Sequence, residues 1–267
     1  MEKITINNIE FLRFNKIWNK INDVDHFITT RQNIEIKSNY DGFNMCDYTG
    51  DNPDNVKECR RIFSAINNIE IDSLFFPRQV HGDDILIIES KEEGLQQVKE
   101  KTFDAVITPL KGICIGVSTA DCVPILLYDK EKKIIAAIHA GWRGTVKHIV
   151  SKTVKAMSKR FGSDPNDIIA GVGPSISQKN FEVGPEVPAE FLKAGFDKSH
   201  ISDSSTEGKY IIDLWSSNKQ DLIDSGVTVD NIEMAEICTV DNFEMLFSAR
   251  KLGINSGRIT TCIMIKY

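Results

Sequence analysis

Five short, nearly all-apolar runs between residues 85 and 138 constrain this chain most: Ile85–Ile88, Ala105–Thr108, Ile113–Ser118, Ile125–Tyr128 and Ile134–Ile138. They are rich in β-branched side chains and too short for helices, so they read as strands. A strand with one wet face alternates apolar and polar residues. These runs do not alternate, so both of their faces must be covered. Helical patterns supply the cover. Asn52-Pro53 opens one, with Val56, Cys59, Phe63 and Ile66 at helical spacing and proline in the first turn. Gly144 to Phe161 is predicted as one continuous helix, with Val146, Ile149, Val150, Val154, Met157 and Phe161 on one stripe and Gly162 as its stop. A strand at Ile168–Val172, helical stretches after Pro185 and from Leu214 to Ile223, and a last strand at Ile259–Ile265 follow. This interleaving predicts an α/β fold: a multilayered sandwich with a mixed or largely parallel β-sheet flanked by helices. With no internal repeat or Pro/Gly-rich linker, residues 1–267 read as one domain.

Charge and composition exclude several functions. The formal net charge is −6, with acids and bases mixed along the chain, so the basic stripe of a DNA or RNA binder is missing. A single nucleoside remains open as a substrate. No apolar run approaches the roughly 18 to 20 residues of a membrane helix. The first residues show no cleavable leader, and the six cysteines form no CxxC pair. They read as cytosolic thiols, which makes the cytoplasm the expected compartment. No extended apolar stripe is left over, so a monomer is expected.

The chemistry-bearing residues are few. Of five histidines, His81 in RQVHG and His139 in IHAGWRG stand beside glycines at strand ends, where α/β sheets place ligands. Cys122 lies between them in TADCVPILLYD, and Pro124 keeps Val123 out of helical geometry. Two imidazoles and a thiolate are three good zinc ligands, and three protein ligands plus water is the open catalytic arrangement. Their spacing is too long for sequence to show that they meet. Otherwise they are two turn histidines and a small buried thiol. Cys122 also fits a nucleophile activated by His139 with Asp121 as orienter, and His2Cys is the blue-copper ligand set as well, although no compact Cys–His–Met loop is present. His148 and His200 read as structural, and His26 falls in a stretch without a legible pattern. The segment GVGPSISQKNFEVG could cradle an anion with the main chain of Gly173 to Ser175. Arg143, Arg250 and Arg78 are candidate anion ligands.

Taken together, RQVHGDDI, TADCVPILLYD, AAIHAGWRGTV, VGPSISQKNFEVG and FSARKLGINSGRIT occur in the order and spacing of the YfiH family. Its members were formerly called multicopper polyphenol oxidoreductases or laccase-domain proteins, and the bacterial ones are also called peptidoglycan editing factor. The resemblance runs from about Asp51 to the C-terminus, and the HAGWRG and ADCVP boxes are highly specific. It implies a layered α/β fold and zinc ligation by His81, Cys122 and His139. It further implies a purine nucleoside phosphorylase that also deaminates adenosine and cleaves methylthioadenosine. The chain departs from the family pattern where Thr30-Arg31 is followed by QNIEIKSNYDG without paired glycines, where Asn44 precedes Met45-Cys46, and where Ala249-Arg250-Lys251 replaces Tyr-Arg-Arg.

The expected site is therefore His81, Cys122 and His139 for Zn2+, Asp121, Asp83 and Arg250 for catalysis, and Arg31, Asn44, Arg143, Gly173 and Ser175 for nucleoside and phosphate. Two other enzymes stay open: a metal-free Cys–His hydrolase and an editing hydrolase of a cell-wall precursor. A non-catalytic module with structural zinc would need a fourth protein ligand.

Overall fold

A computed structural model describes residues 1–32 and 37–266; part of the QNIEIKSNYDG stretch thus lies outside the described residues. The strands are, in order, β1 (Glu2–Ile6), β2 (Ile9–Arg13), β3 (Val24–Thr29), β4 (Leu74–Phe75), β5 (Ile85–Ile87), β6 (Ala105–Thr108), β7 (Cys114–Thr119) and β8 (Val123–Asp129). β9 (Ile134–Ala140), β10 (Ile168–Val172), β11 (Glu182–Val183), β12 (Ile201–Asp203), β13 (Tyr210–Ile212), β14 (Ile232–Met234) and β15 (Ile259–Ile265) complete them. The helices are α1 (Pro53–Asn67), α2 (Lys91–Glu100), α3 (Trp142–Val146), α4 (Ile149–Phe161), α5 (Glu186–Lys193), α6 (Leu214–Asp224) and α7 (Ala249–Leu252).

Two six-stranded sheets dominate, in the orders β1-β2-β3-β15-β7-β4 and β14-β10-β8-β9-β6-β5, beside a small sheet β11-β13-β12. They stack face to face. Ile115, Val117 and Ile263 of the first sheet meet Val106, Leu126, Ile135 and Ala137 of the second. Phe63 of α1 packs with Phe11, Phe27 and Met264 on the outer face of the first sheet. Val150, Val154, Met157, Phe191 and Leu222 from α4, α5 and α6 cover the outer face of the second. The result is four layers, helix, sheet, sheet, helices. This is why the central runs are apolar throughout: every residue of β8 and β9 is buried, with odd and even positions facing different layers.

The sheets are mixed, as expected, but mostly antiparallel. Among the described strands only β4/β7, β5/β6 and β10/β14 pair in parallel. The connection between β8 and β9 is too short for a crossover and forces a hairpin. The predicted helix from Gly144 to Phe161 is two helices. His148 between them adopts φ +57°, with its ring spanning Asp221 Oδ1 at 2.8 Å and the Ala194 carbonyl at 2.9 Å. Tertiary hydrogen bonds thus break a stripe whose local periodicity is unbroken. The N-terminal strands escaped the periodic reading, and His26 is found in β3, 6% exposed, accepting the Phe14 N–H. Burial drives its pKa down to about 3, so it is a neutral core histidine. Asn52 caps α1 by accepting the Asp54 N–H, as the Asn-Pro start predicts. Among the described residues no helix is long and apolar enough to cross a membrane.

Leu126 tests the inter-sheet layer. It is fully buried, and Leu126→Ala is expected to cost about 2–5 kcal/mol, read as a lower urea midpoint at unchanged slope.

Candidate metal centre

The β8–β9 register brings two of the three predicted ligands together. Pro124 lies opposite His139 and Val123 opposite Ala140, which puts Cys122, one residue ahead of β8, level with Gly141. Cys122 and His139 are then diagonal neighbours on one face. Gly141 is extended (φ −68°, ψ 166°), so its backbone suits any residue; space is the constraint. A Cβ there would stand 2.8 Å from His81 Cδ2 and 3.1 Å from Cys122 Sγ.

His81 comes from the loop between β4 and β5 with φ +61°, a strained conformation for a non-glycine residue. One group holds it there. Asp104, fully buried just before β6, accepts the N–H groups of Val80, His81 and Gly82 at 3.3, 2.9 and 2.7 Å. The same carboxylate contacts His139 Nδ1 at 2.7 Å. His139 is thereby left with Nε2 for a ligand, the usual arrangement of a metal-binding imidazole. Burial pushes the Asp104 carboxyl up, but its bonds to His139, Gly82 and Val80 outweigh this and hold it below the ordinary value.

The ligand atoms of His81, Cys122 and His139 lie within 4.8 Å of one another, with Cys122 Sγ 3.6 Å from His81 Nε2. Burial raises the Cys122 thiol, yet the charge and hydrogen bond of His139, then those of His81, bring it down to about 6. Burial lowers His139, while Cys122 and Asp104 raise it to about 9. The metal-free triad is therefore a thiolate–imidazolium pair at neutral pH. Two nitrogens and a sulfur held this close, with one imidazole fixed from behind by a carboxylate, fit a soft or borderline metal ion.

The centre opens on a cavity of about 170 Å³ at the ends of both sheets, lined also by Tyr48, Gln79, Ser118, Thr119, Ala249 and Arg258. Gln79 is tied down by Ser118, donating to its carbonyl at 2.9 Å and accepting its N–H at 2.7 Å, and it accepts the Tyr48 hydroxyl at 3.0 Å.

The other expected site residues lie elsewhere or are already engaged. The anion cradle at Gly173 and Ser175 does not form: their N–H groups donate to the carbonyls of Pro124 and Ile237, and Pro174 has none. Gly173 is small because a Cβ would come 2.9 Å from Pro124 Cγ. Arg31 is fully buried, and its guanidinium donates to the carbonyls of Ser38, Asp41 and Phe243. Asn44 accepts the N–H groups of Cys46 and Arg258 and donates to Asp51, within the scaffold. Asp121, at φ +91°, accepts the Thr239 hydroxyl and the Arg250 N–H, each at 2.6 Å, and so fixes the start of α7. Asp83 is paired with Lys147 and Lys152, which hold its carboxyl below the usual range, Lys152 most strongly. Arg143 is exposed over the Trp142 ring at 4.3 Å, and Arg250 reaches the Asn180 carbonyl at 3.1 Å. None of these residues lines the cavity. The reading from sequence missed Asp104, Gln79, Tyr48 and Arg258. An acid directly before the four buried residues of β6 was the available signal for Asp104.

The fold and this centre define a family. The chain belongs to the one described as multi-copper polyphenol oxidoreductase laccase, whose model matches residues 25–266. A purine nucleoside phosphorylase of Bacteroides thetaiotaomicron is 44% identical over 248 residues, 91% of this chain and 92% of that one. An adenosine deaminase from an unknown prokaryotic organism is 40% identical over 251 residues, 92% and 95% of the two chains. The crystal structure of the Bacillus licheniformis hypothetical protein YfiH matches with a TM-score of 0.85 at 26% identity, covering 93% of this chain and 94% of that one.

Two predictions follow from this geometry. Asp104→Asn puts an amide donor where only acceptors fit. It is expected to weaken zinc or copper binding about 10- to 100-fold in chelator competition, with an unchanged circular dichroism spectrum. Unchanged affinity would remove Asp104 from the centre. Metal uptake should also release protons. Between pH 6 and 9 the thiol is ionised and His139 protonated, so a dication displaces one proton and its affinity rises about tenfold per pH unit. Below pH 6 the thiol binds a proton as well and the dependence steepens, and above pH 9 it flattens. Calorimetry in buffers of different ionisation enthalpy reads this count.

Proposed function

We propose that this protein is a zinc-dependent purine nucleoside phosphorylase, acting on adenosine, inosine and methylthioadenosine, that also deaminates adenosine. One observation carries the reading: three metal-type donors from separate elements converge on a cavity and leave it open to a small molecule. Relatives at 44% and 40% identity bear the names of these two activities. Bound by His81, Cys122 and His139, zinc supplies a Lewis acid and lowers the pKa of water towards 7.

The chain's own residues supply position and exclusion. Asp104 keeps His139 and the His81 loop in place, so the donors need not reorganise when substrate arrives. Ala120, Ala249 and Ile254 give the cavity an apolar wall for a purine face, while the fixed Gln79–Tyr48 pair offers polar edges.

Metal-quantified protein incubated with each nucleoside, with and without phosphate, tests the reading. Free base plus sugar 1-phosphate is expected only with phosphate, and inosine from adenosine in either case. His81→Ala should lose metal and turnover together and keep its fold. No turnover of any nucleoside by the zinc-loaded protein would overturn the proposal.

The Cys122–His139 ion pair supports a second reading, a metal-free cysteine hydrolase. In that case a thiol alkylating agent inactivates and a chelator does not. The third donor, His81, speaks against it, because a cysteine nucleophile needs one imidazole and not two.

A further inference from the structure

Phosphorolysis needs a place for an oxyanion, and the arginines and glycine loop singled out from sequence do not provide one in the cavity. Among the residues that line it, Arg258 is the one lysine or arginine. It stands immediately before β15, next to the pair Ile259–Thr119, so sheet register fixes its position, and its own N–H is held by the fully buried Asn44. The guanidinium is anchored as well. Nη1 donates to the carbonyls of Ser256 at 2.6 Å and Gly257 at 2.9 Å, and Nη2 to that of Ile254 at 3.1 Å. Those bonds use three of its five N–H groups. Nε–H and one Nη2–H make no hydrogen bond to the described residues. They are donors of the kind that meet an oxyanion in a forked pair.

A second observation points the same way. Thr119 ends β7, lines the same cavity and is 1% exposed, yet its hydroxyl has no hydrogen-bond partner. Of the buried hydroxyls without a partner among the described residues, those of Thr119, Ser163, Thr260 and Thr261, only that of Thr119 belongs to a residue lining this cavity.

We propose that Arg258 and Thr119 form the phosphate subsite of this cavity, beside His81, Cys122 and His139. The inference rests on the phosphorylase reading above. The anchored guanidinium loses little freedom when phosphate binds, and the Thr119 hydroxyl gains the acceptor it lacks. Arg31, Arg143 and Arg250 then have no part in holding phosphate.

The test uses zinc-loaded protein and inorganic phosphate in two measurements: KM for phosphate against KM for nucleoside, and the rise in melting temperature that phosphate alone produces. Arg258→Gln should raise the phosphate KM about tenfold or more, move the nucleoside KM much less, and abolish the thermal protection; Arg258→Lys should restore part of each. Arg258→Gln also frees loop 254–257, so Thr119→Val is read beside it. It removes only an unpaired hydroxyl and should raise the phosphate KM roughly three- to tenfold. Equal rises in both KM values, or an unchanged phosphate KM in Arg258→Gln and Thr119→Val, would overturn the subsite. If the wild type shows no phosphate-dependent turnover but phosphate protects it and not Arg258→Gln, the subsite stands and the phosphorylase reading falls. Neither turnover nor protection would overturn both.

Discussion

The antiparallel register of β8 and β9 is the constraint on which the rest of the molecule turns. Seven residue pairs, from Val123 and Ala140 to Asp129 and Ile134, lie between a layer of helices and a second sheet. Both faces are dry and each is packed by a different set of side chains. A slip of one residue would exchange the two sets, so burial fixes the register strongly. The same register makes Cys122 and His139 neighbours. Core packing and ligand placement are therefore one event, and the centre inherits the rigidity of the most buried part of the fold.

Around that hairpin, buried charges act as fasteners. Asp104 collects three main-chain N–H groups and an imidazole, and Glu233, 2% exposed, accepts the N–H groups of Asn15, Lys16 and Ile17. Arg31 answers in the other sense with three carbonyls. An unpaired buried charge costs several kcal/mol, whereas one surrounded by main-chain partners fixes several loops at once. At the centre this has a chemical consequence. One carboxylate sets both the strained His81 backbone and the free nitrogen of His139, so two of the three donors depend on a residue that does not touch the metal position.

Some of this was legible in the sequence for definite reasons. The unbroken apolar runs announced strands covered on both sides, the stripe of α4 announced a helix on a core, and glycine-flanked His81 and His139 with Cys122 announced a ligand set. The misreadings share a cause. Periodicity sees local preference, and His148 ends a helix through contacts with Asp221 and Ala194, 73 and 46 residues away. Gly173–Ser175 looked like an anion cradle because sequence does not reveal that Pro124 and Ile237 already hold its N–H groups.

By itself, then, the sequence determined that the central apolar runs had to be strands, which faces had to be covered, and which residue types could bind a metal. Those follow from side-chain size, polarity and spacing along the chain, all of them local properties. The tertiary structure alone decided that the sheets are largely antiparallel, that three donors 17 to 58 positions apart meet within 4.8 Å, and that Asp104 holds His139 and the His81 loop. Such facts depend on contacts between residues far apart in sequence, and these are fixed only when the layers pack and every buried polar group has found its partner.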